Sequence, residues 1–201
     1  EKLIKSFSQK YKYSYENIDF KKYNNFKNIN LIGMGGSALG AKAIYNFFNP
    51  KIKKKFTFVD NINLKKNYNQ NLKPLNLVIS KSGNTLETIS NFKSLKNKKN
   101  NLFICENSNN QIRNLAKKLK SDIIDHRNYI GGRYSVLSEV GMLPALLMGL
   151  NPKKFKRFDN LIKNKRFINS LINNVISTVA LIRKKKYNSI ILNFDENSEG
   201  L

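Results

Sequence analysis

The 201 residues include one cysteine, one histidine and 13 acidic side chains, against 37 lysines and arginines. Cys105 has no second cysteine to pair with, so an internal disulfide is excluded and a reducing, cytoplasmic setting is expected. It closes the apolar run LFIC and reads as a packed strand residue rather than a nucleophile. His126 has no second histidine, cysteine or acidic cluster beside it, so no metal site is expected. No apolar run reaches the roughly 20 residues of a membrane helix. The most apolar segment, VLSEVGMLPALLMGL, contains Glu139 and Pro144 and predicts a buried helix instead. No signal peptide is expected ahead of the fold, and both ends of the chain read as cut.

The shortage of acids leaves a formal charge of +24, which raises the question of a nucleic-acid partner. The lysines are scattered among many asparagines and isoleucines, the mixture that codon bias in an AT-rich genome produces. No RNP-like, zinc-finger or basic-zipper pattern is present. The expectation is a solvated basic surface that favours anionic substrates, with no nucleic acid and no membrane as partners.

With 40% hydrophobic residues the chain can build a substantial core, in one large domain or one and a half smaller ones. Residues 1–28 are polar with spaced aromatics and predict a helical arm. From residue 29 short apolar runs alternate with segments of helical period. Strands are expected at 29–33, 56–60, 75–80, 101–106 and 122–125, and helices at about 37–48, 85–97 and 110–120. In the last of these, Ile112, Leu115, Ala116 and Leu119 share one face. Such alternation implies an α/β fold with a parallel sheet covered on both sides by helices. A first domain over 29–150, a helical connection over 151–186 and the start of a similar second domain over 187–201 are expected. In the connection, Ile168, Leu171, Ile172, Val175, Ile176 and Val179 form an apolar stripe that reads as core packing, and SIILNFD (189–195) reads as a buried strand.

Three turns carry the chemistry. LIGMGGSALG follows the first strand, and its Gly33, Gly35 and Ala38 satisfy G-x-G-x-x-[G/A], with Asp60 ending the next strand. That spacing suits a dinucleotide, but any phosphate or sugar at a helix N-terminus needs the same glycines and free N–H groups. The second turn, SKSGNT, offers the hydroxyls of Ser80, Ser82 and Thr85, the ammonium of Lys81 and the permissive backbone of Gly83. A phosphate monoester needs many donors and a positive helix end, and this turn supplies both. The Walker spacing is absent, which argues against nucleoside triphosphates. Asn84 and Glu87 read as a helix capping box. The third turn, HRNYIGGRYS, presents Arg133 after two glycines, where a guanidinium could steady negative charge on substrate oxygens. His126, alone in its loop, reads as incidental rather than as a general base.

Together, GMGGSALG, SKSGNTLET and GGRYSVLSEVGMLP, in that order and spacing, resemble the glucose-6-phosphate isomerase family and, more broadly, the sugar isomerase (SIS) domain. The resemblance runs over residues 29–150 and implies two SIS domains, each a flavodoxin-like three-layer sandwich, with the active site between domains and subunits of a homodimer. By position it implies that Gly36 and Ser37 contact the sugar phosphate, that Ser80, Lys81, Ser82 and Thr85 hold its phosphate, and that Arg133 stabilises a cis-enediolate. It implies no metal and no redox cofactor. Some members have Thr and an aromatic where this chain has Ser82 and Gly83, and the short loop leans toward compact forms that include acceptors of mannose 6-phosphate. The family's catalytic glutamate, histidine and lysine belong to later motifs that find no match here, and Glu196 and Glu199 lack the context of that glutamate.

The resemblance therefore implies the phosphate half of a site for interconverting glucose 6-phosphate and fructose 6-phosphate, without the base. Alternatives are a phosphoglucose/phosphomannose isomerase of dual specificity, a non-catalytic SIS regulator that binds a sugar phosphate, and a Rossmann dehydrogenase.

Overall fold

The computed structural model describes residues 2–62 and 73–186. Five parallel strands form one sheet: Asn28–Ile32 (β1), Lys55–Val59 (β2), Leu75–Ile79 (β3), Asn101–Glu106 (β4) and Asp122–His126 (β5). Their order is β2-β1-β3-β4-β5. All five expected strands are found to within a residue. The residues that close three of the expected runs, Gly33, Asp60 and Ser80, belong to the turns that follow.

Alternation along the strands separates two cores. On one face Ile29, Leu31, Leu77, Ile79, Leu102 and Ile104 pack under Leu39–Phe48 (α3) and Glu139–Leu147 (α6). On the other, Ile32, Val78, Phe103 and Cys105 pack under Leu86–Ser94 (α4) and Gln111–Lys118 (α5). Strands buried on both faces explain why their sequences read as continuous apolar runs. In α5 the predicted stripe holds for Ile112 and Ala116, while Leu119 sits just past the helix end and is exposed. α4 stops earlier than expected because Leu95 turns extended and buries its side chain in the core.

One buried polar feature runs through the sheet. Asn30 donates to Asn76 (3.0 Å), which in turn donates to Asn101 (3.0 Å) and to the Asn97 carbonyl (2.9 Å). Asn101 donates onward to the Lys98 carbonyl at 2.8 Å. The ladder crosses β1, β3 and β4 and is satisfied at each step, as buried amides must be.

The N-terminal segment departs from the expected helical arm. It holds only two single-turn helices, Lys2–Lys5 (α1) and Lys21–Asn24 (α2), and otherwise wraps irregularly over the sheet. Its aromatics do the anchoring: Tyr13 and Tyr15 stack at 4.7 Å and both are buried. Glu139, fully buried at the start of α6, accepts from the Tyr11 hydroxyl, the Ser14 amide and the Ser14 hydroxyl at 2.9–3.1 Å. Lys156 closes the knot, donating to the Ser6 carbonyl at 2.7 Å and lying over the Tyr11 and Tyr13 rings. Burial pulls its ammonium down to about 8, against the opposing pull of Glu139 and Glu16.

The chain then continues through Asp159–Lys163 (α7) into the long helix Lys165–Arg183 (α8). Here the expected core packing fails. Leu171, Ile172, Val175, Ile176 and Val179 are 42–61% exposed, because among the described residues nothing lies over that stripe. The strand expected at 189–195 lies outside the described residues, as do Glu196 and Glu199.

Candidate functional site

The sheet order places β1 beside β3, with β2 reached on one side and β4 and β5 on the other. Chains leaving β1 and β3 therefore diverge at their carboxyl ends, which opens a crevice where parallel α/β sheets bind ligands. GMGGS leaves β1 and SKSGNT leaves β3, so both turns flank this switch point. The first turn presses on the end of β3: a Cβ on Gly33 would stand 3.0 Å from the Ile79 carbonyl, and 3.0 Å from Ser37 Cβ within its own turn.

Helix ends distinguish this crevice from the rest of the molecule. Three of the longer helices are capped by side chains: α5 by Asn110, α6 by Ser138 and α8 by Asn164. Among the longer helices of the described residues, only α3 and α4, which begin at the switch point, have no side-chain cap. Their first N–H groups and positive dipole ends are left for an anion.

Within SKSGNT the hydroxyls first build the turn itself. Ser80 is buried, and its Oγ accepts from the Gly83 amide (3.1 Å) and lies 2.9 Å from Thr85 Oγ1. Ser82 Oγ accepts from the Asn84 amide at 3.3 Å. Gly83 adopts a left-handed φ of 66°, and a Cβ there would fall 2.0 Å from Asn110 Oδ1, so only glycine fits. Thr85 is the N-cap residue of α4, one position later than a capping box on Asn84 would place the cap. Lys81 Nζ donates to the Asn128 carbonyl at 3.0 Å and lies 3.5 Å from Glu106. The capping-box reading of Asn84 and Glu87 does not hold. Asn84 Oδ1 accepts instead from the Gln111 amide at the start of α5 (3.1 Å), tying the turn to its neighbour.

The third turn reaches the crevice from the far edge of the sheet. After β5 the chain crosses back, and the 3₁₀ turn Gly132–Tyr134 packs on the 3₁₀ turn Gly35–Ser37. A Cβ on Gly36 would lie 2.3 Å from the Gly132 carbonyl, and Ser135 Oγ donates to both the Gly36 and Gly132 carbonyls (3.2 and 2.7 Å). Beside this contact a cavity of about 350 Å³ is lined by Gly36, Leu39, Gly40, Gly132, Arg133 and Val136. Arg133 is exposed there, and neither it nor the Ser37 hydroxyl forms a hydrogen bond or ion pair with the described residues.

Two other polar residues have structural duties. Asp60, which the glycine pattern would assign to a ribose, is paired with Lys42 of α3 at 3.1 Å. His126 is buried, with Nδ1 2.9 Å from the Arg127 carbonyl and Nε2 unpartnered among the described residues. Burial holds its pKa below the ordinary 6.5, with the Arg127 carbonyl and Glu139 pulling the other way. Sequence reasoning missed the Tyr11–Glu139–Lys156 knot behind the Arg133 turn. The one signal was an acid at the head of an otherwise apolar helix. Among the described residues no group of acids, His and Cys could hold a metal, and no helix is long and apolar enough to cross a membrane.

The sequence model of the family described as phosphoglucose isomerase matches residues 2–195. A glucose-6-phosphate isomerase of Methanocaldococcus jannaschii is 32% identical over 202 aligned positions, covering 90% of this chain and 49% of that protein. A hypothetical protein of Thermus thermophilus superposes with a TM-score of 0.58 at 24% identity, covering 76% of this chain and 38% of that one. The C-terminal domain of a glucosamine-fructose-6-phosphate aminotransferase from Francisella tularensis gives 0.51 at 14% identity, covering 90% and 51% respectively. Both structures share the fold. The chain spans about half the length of the curated relatives it matches.

Proposed function

Because the chain belongs to the phosphoglucose isomerase family, we propose that the whole protein interconverts glucose 6-phosphate and fructose 6-phosphate by proton transfer between C2 and C1. The observation that carries this reading is the pair of uncapped helices opening at the switch point, each behind a turn suited to an anion. The phosphate sits on SKSGNT, taking donors from Ser80, Lys81, Ser82 and Thr85 and from the first turn of α4. Gly36 and Ser37 line the sugar side, where the close approach of backbone leaves room for hydroxyls. Arg133, exposed and without a partner among the described residues, faces the developing enediolate oxygens, where a fixed cation lowers the barrier most. A base takes the carbon-bound proton, and no residue of this chain is assigned that role.

In the same reading residues 29–150 are a first SIS domain, 151–186 a connection and 187–201 the start of a second. The exposed stripe on α8 is then a contact surface for that second domain. The whole protein works as a cytoplasmic homodimer, a setting that suits the lone, buried Cys105. Calorimetric titration of the 201-residue chain with glucose 6-phosphate tests the assignment. Lys81→Ala and Ser80→Ala should each weaken binding about tenfold, the loss expected for one charge-assisted hydrogen bond. Unchanged affinity in both variants would remove SKSGNT from the site.

A further inference from the structure

The carboxyl end of β4 sets an acid against the SKSGNT turn. Glu106 closes that strand, and its amide donates to the Lys81 carbonyl at 2.9 Å. Its own carbonyl accepts from Asn110 Nδ2 at 3.1 Å and from Arg113 Nε at 3.3 Å. The backbone of Glu106 is thus fixed from both sides, whatever its side chain. The carboxylate lies 3.5 Å from Lys81 Nζ, and both side chains are partly exposed. Lys81 is the one cation of SKSGNT, so the single positive side chain of the turn is already matched by a negative one. Glu87, in the first turn of α4, is the acid closer in sequence, but it forms no ion pair with Lys81 among the described residues.

On the reading that SKSGNT holds the phosphate, which this inference rests on, a phosphate oxygen and Glu106 share one ammonium. Lys81 has three N–H donors and gives one to the Asn128 carbonyl at 3.0 Å, so a donor remains for the ester. An oxygen at the usual charge-assisted distance of about 2.8 Å from Nζ lies within roughly 6 Å of the Glu106 carboxylate. Two negative groups that close repel, and the repulsion offsets part of what Lys81 contributes. We propose that Glu106 sets the strength of the phosphate anchor, keeping a phosphate monoester loosely held at SKSGNT. Substrate and product of an isomerisation carry the same phosphate. A tight anchor stabilises both alike, which adds nothing to the chemical step and slows release. A carboxylate beside the only cation of the turn keeps the anchor from becoming tight.

The test is calorimetric titration of the 201-residue chain with glucose 6-phosphate at about 0.1 M salt, where charges beyond roughly 10 Å are screened. Glu106→Gln should bind about tenfold tighter, the effect of removing one charge roughly 6 Å from a dianion at a partly exposed site. A gain of affinity is a change that mere damage to the fold does not produce. Glu106→Asp keeps the charge and should bind as the parent does. Asp19→Asn should also leave the affinity unchanged. Asp19 is exposed and precedes α2, whose Tyr23 bonds Asp122 at the opposite end of the sheet from the crevice. Unchanged or weaker binding in Glu106→Gln, with Lys81→Ala still weakening it, would overturn this proposal and leave the phosphate turn in place. Equal tightening in Glu106→Asp or Asp19→Asn would also overturn it, by assigning the gain to side-chain length or to the overall field. Unchanged affinity in both Lys81→Ala and Ser80→Ala would remove the turn from the site, and the role of Glu106 with it.

Discussion

Gly36→Ala would force apart the two turns that bring Arg133 to the crevice. The added Cβ would stand 2.3 Å from the Gly132 carbonyl oxygen, 2.6 Å from its carbon and 3.2 Å from its Cα. These are backbone atoms and cannot rotate aside. Restoring ordinary contact near 3.5 Å requires a separation of about 1 Å. The mirror substitution, Gly132→Ala, meets nothing within 4 Å, so one contact gives opposite outcomes from its two sides. Overpacking of this kind costs about 2 kcal/mol, which for a chain of this length lowers Tm by roughly 4–8 °C. Gly132→Ala should stay within about 0.5 kcal/mol of the parent. If the whole protein works as proposed, the same 1 Å shift at Arg133 should reduce its kcat about a hundredfold, with sugar-phosphate affinity less affected. Urea unfolding of both variants is the direct measurement. Equal stability in Gly36→Ala and Gly132→Ala would refute the reasoning, because it would mean the two turns do not meet as described.

Asn76→Ala should cost about 3 kcal/mol in urea unfolding, since it strands the Asn30 amide, the Asn101 oxygen and the Asn97 carbonyl inside the sheet. A loss under about 1 kcal/mol would mean the ladder is not dry. Stability should also fall with acid through His126. Burial holds its folded pKa below the unfolded 6.5, so its contribution is complete above pH 6.5 and is lost as pH falls toward the folded value. The slope approaches at most about 1.4 kcal/mol per pH unit. Glu106 and Glu139 oppose that loss, while Lys81 adds to it. His126→Gln should flatten the profile below about pH 6.5, and parallel profiles for the two proteins would count against the assignment.

Local order was legible wherever a residue's environment follows from its neighbours in sequence. Strands buried on both faces show as short apolar runs, and the glycines of GMGGS and SKSGNT mark the ends of β1 and β3, so the parallel sheet and two of the three turns could be read directly. The family resemblance implied, by position, phosphate contacts for Ser80, Lys81, Ser82 and Thr85 and a charge-stabilising role for Arg133. What one chain segment does to another far along the sequence could not be read. Asn84 looked like a partner for Glu87 but serves the Gln111 amide, because the packing of α4 beside α5 brings that donor within reach. Asp60 looked free for a ligand until the fold set Lys42 against it. The stripe on α8 has a core residue's chemistry without a core residue's burial, since periodicity reports which face is apolar and not whether anything covers it. The sequence by itself determined the sheet, its layers and the turns proposed to bind substrate, because hydrophobic period and glycine placement are local properties. Only the tertiary structure decided that Gly132 rests on Gly36 and that Glu139 and Lys156 hold the N-terminal segment behind them. Those contacts join residues about a hundred or more positions apart and depend on the strand order.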